Sequence, residues 1–167
     1  MTAHIWHFDL NTYDNVLNNK EHKLSSNTSI LVGGCFDVIH YGHLTFLKRA
    51  KQNADHLIVA LESDEKISNA KKRAPIHTVE QRAEILANLR MVNEVVVLPF
   101  MNRYEEYLKL VTILKPTYLG VTEGDRELHN KQKQADAIHA QLIVVTANLE
   151  SLSSSNIISV VSEFCIE

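Results

Sequence analysis

From about residue 29 onward, short apolar runs alternate with longer amphipathic stretches. Ile30 to Gly33, His56 to Glu62, Glu94 to Pro99, Thr117 to Val121 and Gln141 to Ala147 read as buried strands. His43 to Ala54, Thr78 to Leu89, Tyr104 to Lys115 and roughly Arg126 to Ala140 carry helical spacing, and a last helix is expected after Ser153. Thr78 and Gln81 stand at capping-box spacing, and Pro116 stops the helix before it. Strand and helix in strict alternation imply parallel strands joined by helical crossovers. The expected fold is therefore α/β: a parallel five-stranded sheet flanked by helices.

Residues before about Thr28 scatter a few apolar positions (Ile5, Trp6, Phe8, Tyr13, Val16, Leu17) among Asn, Lys and Ser without a sustained period. We read residues 1–28 as an N-terminal arm and 29–167 as one domain, since 167 residues with 45% hydrophobic content bury a single core more readily than two. The arm can cap a site or pair two copies into a homodimer, and composition is silent between these. A net charge of -3 gives no broad reason to expect nucleic acid or an anionic membrane as partner, so any polyanion site must be local. No apolar run approaches the length that spans a bilayer, and residues 1–10 lack the pattern of a signal peptide. Two cysteines, Cys35 and Cys165, do not make a disulfide scaffold, and a reducing cytoplasm is the expected setting.

Chemistry concentrates where the first core strand gives way to the first helix, at the carboxyl edge where parallel sheets bind ligands. There the chain reads Gly33-Gly34-Cys35-Phe36-Asp37-Val38-Ile39-His40-Tyr41-Gly42-His43. The glycines permit close backbone approach, and free N–H groups near Gly42 and His43 would face an anion. His40 and His43 can donate hydrogen bonds to phosphate oxygens as charge shifts during transfer. Asp37 can hold a metal-bound phosphate or fix a histidine, and sequence alone does not choose. Lys71, Lys72 and Arg73 supply local cations on the same edge, Gly124 and Asp125 follow the fourth strand, and Ser153, Ser154 and Ser155 open the last helix. Taken singly, these would be surface histidines, a solvated basic loop and an N-cap; their weight lies in converging on one edge. Half a zinc site is a poor alternative, because no second Cys/His pair accompanies His40 and His43.

The run Gly34-Cys35-Phe36-Asp37-Val38-Ile39-His40-Tyr41-Gly42-His43 resembles the G-x-F-D-x-x-H-x-G-H signature of the cytidylyltransferase-like nucleotidyltransferases. Glu62-Ser63-Asp64-Glu65 after the second core strand, Glu80-Gln81-Arg82 and Ser153-Ser154-Ser155-Asn156-Ile157-Ile158 are similar to further segments of that family, so the likeness extends over roughly residues 30–161. It implies a Rossmann-like fold and transfer of a nucleoside monophosphate from a Mg²⁺-bound triphosphate to a small phosphorylated acceptor such as a sugar 1-phosphate. His40 and His43 would stabilise the transition state, and Lys71 and Arg73 would contact phosphates. Gly34, Cys35, Phe36, Asp37, Gly42, Arg82, Gly124, Asp125 and Ser153 to Ser155 would bind the nucleotide. Mg²⁺ is the implied cofactor, held chiefly by substrate and water, with Asp37 as the one protein ligand to consider.

The chain looks nearest to the heptose-phosphate adenylyltransferase and glycerol-3-phosphate cytidylyltransferase groups, and departs from both. Asn148-Leu149-Glu150-Ser151-Leu152-Ser153 replaces the R-T-E-G-I-S of the cytidylyltransferases and lacks their arginine. Thr122-Glu123-Gly124-Asp125 replaces the K-G-G-D of the heptose type. The missing arginine favours ATP over CTP. A CTP-dependent glycerol-3-phosphate-type enzyme is the alternative, and a non-catalytic nucleotide-binding module is the rival of another class.

Overall fold

The computed structural model describes residues 2–11, 28–147 and 157–158. Among the described residues six strands form: β1 (His4–His7), β2 (Ser29–Gly34), β3 (His56–Leu61), β4 (Glu94–Val97), β5 (Tyr118–Thr122) and β6 (Gln141–Thr146). Between them run α1 (Tyr41–Gln52), α2 (Asp64–Lys71), α3 (Val79–Ala87), α4 (Tyr104–Leu114) and α5 (Leu128–Ala137). All pairs are parallel, in the order β1-β4-β3-β2-β5-β6. The five expected strands are present with ends shifted by a residue or two, and the four expected helices that fall on described residues are present too. The helix expected after Ser153 begins outside the described residues, as do Ser153, Ser154, Ser155 and Cys165.

The sheet corrects the expectation of five strands. His4–His7 lies at the edge and pairs with β4 alone, so only one ladder and one flank hold it. Its residues are mostly exposed, which is why it carries no alternating apolar signal. Three backbone bonds extend the pairing: Ala3 N–H to Ala87, His4 to Asn93 and Phe8 to Val97. Trp6 Nε1 also donates to the buried carboxylate of Glu94, whose other oxygen lies 3.1 Å from His56 Nε2.

A second correction is α2, read from sequence as a loop around Lys71. Its sequence, DEKISNAK, buries only Ile67, so no apolar stripe announces it. It is started by Ser63, whose hydroxyl accepts from Lys66 N–H, by Asp64 and Glu65 in the first turn, and ends at Lys72 in the left-handed region. The Thr78–Gln81 capping box forms on α3, and Lys115 caps α4 just before Pro116.

Both faces of the sheet are covered, so its central strands are apolar throughout rather than alternating with polar residues. Ile30, Val32, Leu57, Val59, Val95 and Val97 face α1 and α3, against Phe46, Leu47 and Leu86. Leu31, Ile58, Ala60, Val96 and Leu119 face α4 and α5, against Leu110, Val111 and Ala135. From β2 the chain proceeds outward through β3 to β4, then returns to β5 on the other side. The carboxyl ends of β2 and β5 therefore flank the topological switch, where such sheets leave a crevice. No helix among the described residues is long and apolar enough to cross a membrane.

Replacing Glu94 by Ala should release Trp6 and His56 together and destabilise the fold by about 1–3 kcal/mol, the cost of unmaking a buried charged hydrogen-bond set. Trp6 is the sole tryptophan, so denaturant unfolding followed by its fluorescence reports on the edge strand directly. An unchanged midpoint would show that the Trp6–Glu94–His56 cluster holds nothing.

Candidate active site

The turn from β2 to α1 is built around Phe36, which adopts a positive φ of 46°. Its ring folds back over Gly34, where an added Cβ would stand 2.9 Å from the ring, so this position requires glycine. Phe36 itself is buried and packs 5.0 Å from His43 between ring centroids. Expected at the nucleotide, it acts from the core side as the floor beneath a catalytic candidate.

His40 is the N-cap of α1, and its Nδ1 accepts the Gly42 N–H at 3.1 Å. The Gly42 N–H is therefore not open to an anion, contrary to the expectation. The bond has a chemical consequence: with Nδ1 as acceptor, the neutral ring carries its proton on Nε2, which is left as a donor. His40 and His43 stack with centroids 3.8 Å apart and planes 28° from parallel. Two imidazolium ions would repel at that separation, and both rings resist protonation. Burial pushes His43 down to about 4, helped by the charge of His40 and then by Lys71, against an opposing backbone hydrogen bond at Val38. Burial and Lys71 lower His40 as well. The pair is neutral at pH 7 and offers N–H groups rather than charge. Lys71, the last residue of α2, brings its positive charge close enough to act on both rings.

Asp37 answers the choice that sequence left open. It is 1% exposed, and its Oδ1 accepts Ile76 N–H at 2.7 Å and His77 N–H at 3.5 Å. Its Oδ2 lies 2.7 Å from Arg73 Nη2, an ion pair whose angles are not those of a hydrogen bond. Burial raises the carboxyl, but Arg73 and the two backbone donors outweigh it and hold it below the usual carboxylate range. Asp37 thus fixes the 73–77 loop rather than a histidine. Arg73 is correspondingly occupied, and also donates to Ala74 O at 2.8 Å.

Arg82, expected as a nucleotide contact, is 1% exposed. Its guanidinium donates to the carbonyls of His77, Cys35 and Glu62 and to the carboxylate of Asp64. It acts on the site through the backbone it holds. Cys35 is a free, partly buried thiol, raised chiefly by burial. Gly124 stands at φ +71° in the turn after β5, and Asp125 turns to α5, accepting Glu127 N–H at 2.8 Å and pairing with Lys131 at 2.7 Å.

No group of three or more His, Cys, Asp or Glu side chains able to hold a metal exists among the described residues. Asp37, a single carboxylate already bound to Arg73 and two N–H groups, is a poor anchor for Mg²⁺.

One feature escaped sequence reasoning. A cavity of about 390 Å³ opens on the opposite face of the sheet end, beneath α4 and α5, and reaches Gly33, Gly34 and Cys35. Glu62, Lys66, Tyr107 and Lys131 line it. The available signal was Glu62, a carboxylate placed directly after the apolar run of β3.

Residues 31–160 match the Cytidylyltransferase-like family. The chain belongs to that family. It is similar to an FAD synthase of Pyrococcus abyssi, 41% identical over 92 residues, 55% of this chain and 60% of that protein. It is also similar to the bifunctional protein HldE of Helicobacter hepaticus, 38% identical over 136 residues, 81% of this chain and 27% of that protein. The matched stretches thus span less than two thirds of either relative, 60% of the first and 27% of the second. Among solved structures, the pantoate-beta-alanine ligase of Francisella tularensis, complexed with beta-gamma ATP and beta-alanine, superposes with a TM-score of 0.64 at 17% identity, over 99% of this chain and 79% of that one. A lipopolysaccharide core biosynthesis protein of Thermoplasma volcanium gives 0.59 at 20% identity, over 73% of this chain and 97% of that one. Both likenesses speak to the Rossmann-like fold.

The depressed His43 sets a pH dependence of stability. Between about 6.5, the ordinary value for an unfolded histidine, and the folded value of about 4, the unfolded chain binds the extra proton. This contribution therefore favours folding fully above that window and fades as pH falls through it. His43→Asn removes the titrating ring, so its thermal midpoint should fall less steeply than the wild type's from pH 6.5 to 4. Parallel curves would contradict a buried, neutral His43.

Proposed function

We propose that this chain transfers AMP from Mg²⁺-bound ATP to a small phosphomonoester and releases pyrophosphate. The observation that carries the reading is the stacked, neutral His40–His43 pair at the start of α1, with the charge of Lys71 beside it. An acceptor phosphate oxygen attacks the α-phosphorus in line; one P–O bond forms as the bond to pyrophosphate breaks, and no enzyme-bound intermediate is needed. Negative charge grows on the equatorial and leaving oxygens, where preoriented N–H donors act more strongly than in the ground state. His40 Nε2–H is such a donor, its tautomer set by Gly42. Neutral imidazoles suit this task because they bind the changing oxygens without fixing the product as a salt. Mg²⁺ would come with the triphosphate and, when bound, would supply neutralisation of its charge.

Two supports favour adenylyl transfer. FAD, named as the product of several relatives, contains an adenylyl group joined to a phosphomonoester through a pyrophosphate linkage. The arginine carried by cytidylyltransferases before the last helix is absent here. The test is a panel of ATP and CTP against phosphorylated polyols, sugars and FMN, read by pyrophosphate release. Turnover with CTP alone would move the assignment to a glycerol-3-phosphate-type cytidylyltransferase, and nucleotide binding without turnover for any acceptor would favour a regulatory module. A cytoplasmic location and a homodimer remain parts of this proposal; size exclusion of the full chain over a range of concentrations tests the second.

His40→Ala or His43→Ala should leave a folded protein whose turnover drops about 10²–10³-fold, the usual cost of one transition-state donor. Near-normal pyrophosphate release from either variant would remove that histidine from the chemical step. Lys71 and Arg73 should separate by experiment. Lys71→Ala should raise the ATP requirement with little change in thermal midpoint. Arg73→Ala should lower the midpoint, by about 1–3 kcal/mol of stability, because it leaves the Asp37 carboxylate without its counter-ion. Equal responses in both measurements would refute the division of labour.

A further inference from the structure

Glu62 directly follows β3 and lines the cavity beneath α4 and α5. Its Oε1 receives Tyr107 Oη at 3.0 Å, and that hydroxyl, with a single proton, also lies 3.1 Å from the Met101 carbonyl. Its Oε2 is buried and has no hydrogen-bond partner. Burial raises the carboxyl, only partly offset by Tyr107, Lys66, Lys131 and Arg82. Lys66, a cation on the cavity wall, is otherwise engaged: its Nζ donates to Met101 O at 2.9 Å and lies over the Tyr107 ring. A buried carboxylate oxygen without a donor is costly, and the group that satisfies it must bring an O–H or N–H. It cannot be a phosphate, whose oxygens would be repelled.

We propose that Glu62 selects the acceptor: its free oxygen binds a hydroxyl of a polyol or sugar phosphate whose body fills the cavity and whose phosphate points toward Gly34 and the histidine loop. The inference rests on the nucleotidyl-transfer reading for its choice of phosphomonoester, but not for its test. Three features support it. The cavity, at about 390 Å³, lies within the range of small-molecule sites. It reaches the end of β2, immediately before the turn that carries His40 and His43. Its walls add amides, Asn102, Asn130 and Gln134, suited to further hydroxyls, over an apolar floor from Leu31 and Leu119.

The experiment is calorimetry, with no turnover required, using ribitol 5-phosphate, a hexose 1-phosphate and cyclohexyl phosphate, which keeps the ring and phosphate but lacks hydroxyls. The wild type should bind at least one polyol phosphate about 10-fold or more tightly than cyclohexyl phosphate. Glu62→Gln, close in shape but with an N–H₂ in place of one acceptor oxygen, should weaken the polyol ligand by about 10- to 100-fold, the range for a hydrogen bond to a charged group. It should leave cyclohexyl phosphate and ATP affinities unchanged. Tyr107→Phe spares the free oxygen and should retain the polyol preference, which separates recognition from a general collapse of the cavity. Absence of that preference in the wild type, or its survival in Glu62→Gln, overturns the proposal. Polyol binding lost in Glu62→Gln without pyrophosphate release from any nucleotide would sustain the proposal while sinking nucleotidyl transfer.

Discussion

A fully buried guanidinium organises the carboxyl edge of this sheet. Arg82 reaches from the first turns of α3 to the carbonyl after β2, the carbonyl after β3 and the start of its own helix, and to Asp64 at the start of α2. Charge is not buried cheaply, and it persists here because donor after donor finds an oxygen in a fixed place. The reverse also holds. Those carbonyls belong to non-repetitive backbone that no ladder pairs, and each would be an orphan without the arginine. A lysine at this position would supply a point charge but not a fork spanning three chain segments.

Around that anchor, the site divides electrostatic labour between groups that look interchangeable in sequence. Asp37 and Arg73 neutralise each other and fix the loop after α2, which positions the end of that helix. Lys71, two residues before Arg73, is left to act on the two imidazoles. Its charge and their burial together keep the histidines unprotonated, so the positive potential at this edge is due to lysine and the N–H donors to histidine. Had Asp37 bonded to His40 or His43, it would have favoured the charged ring and reversed this arrangement.

Much of this was legible in the sequence because it follows from local rules. Fully covered strands announce themselves as apolar runs, the Thr78–Gln81 box and Pro116 punctuate the helices, and the glycine-rich turn with two histidines marks the working edge. What escaped has physical reasons. β1 is an edge strand with one ladder, and Trp6 is held by a buried carboxylate 88 residues away, a pairing no local pattern encodes. α2 buries one residue, so its caps, not its period, make it a helix. The partners of Asp37 and Arg82 are set by tertiary contacts, mostly to backbone oxygens and N–H groups that carry no sequence signal. Glu62 was equally hidden: a carboxylate at a strand end is usually solvated, and only the α4 wall reveals that one of its oxygens is not.

The histidine turn also separates a packed core from an open cavity. On the α1 side, His43 rests on Phe36 within the core that α1 and α3 cover; on the α4 and α5 side lies the cavity with Glu62. Between them stands the end of β2, where Gly33 and Gly34 present no side chain. An added Cβ at Gly34 would drive into the Phe36 ring, so the same glycine that lets the turn close also leaves the strand end bare. In-line displacement needs the attacking oxygen and the leaving group on opposite sides of one phosphorus. Under the proposed transfer, an acceptor held in the cavity would reach a phosphorus placed at this strand end over backbone rather than over a side chain that had to move.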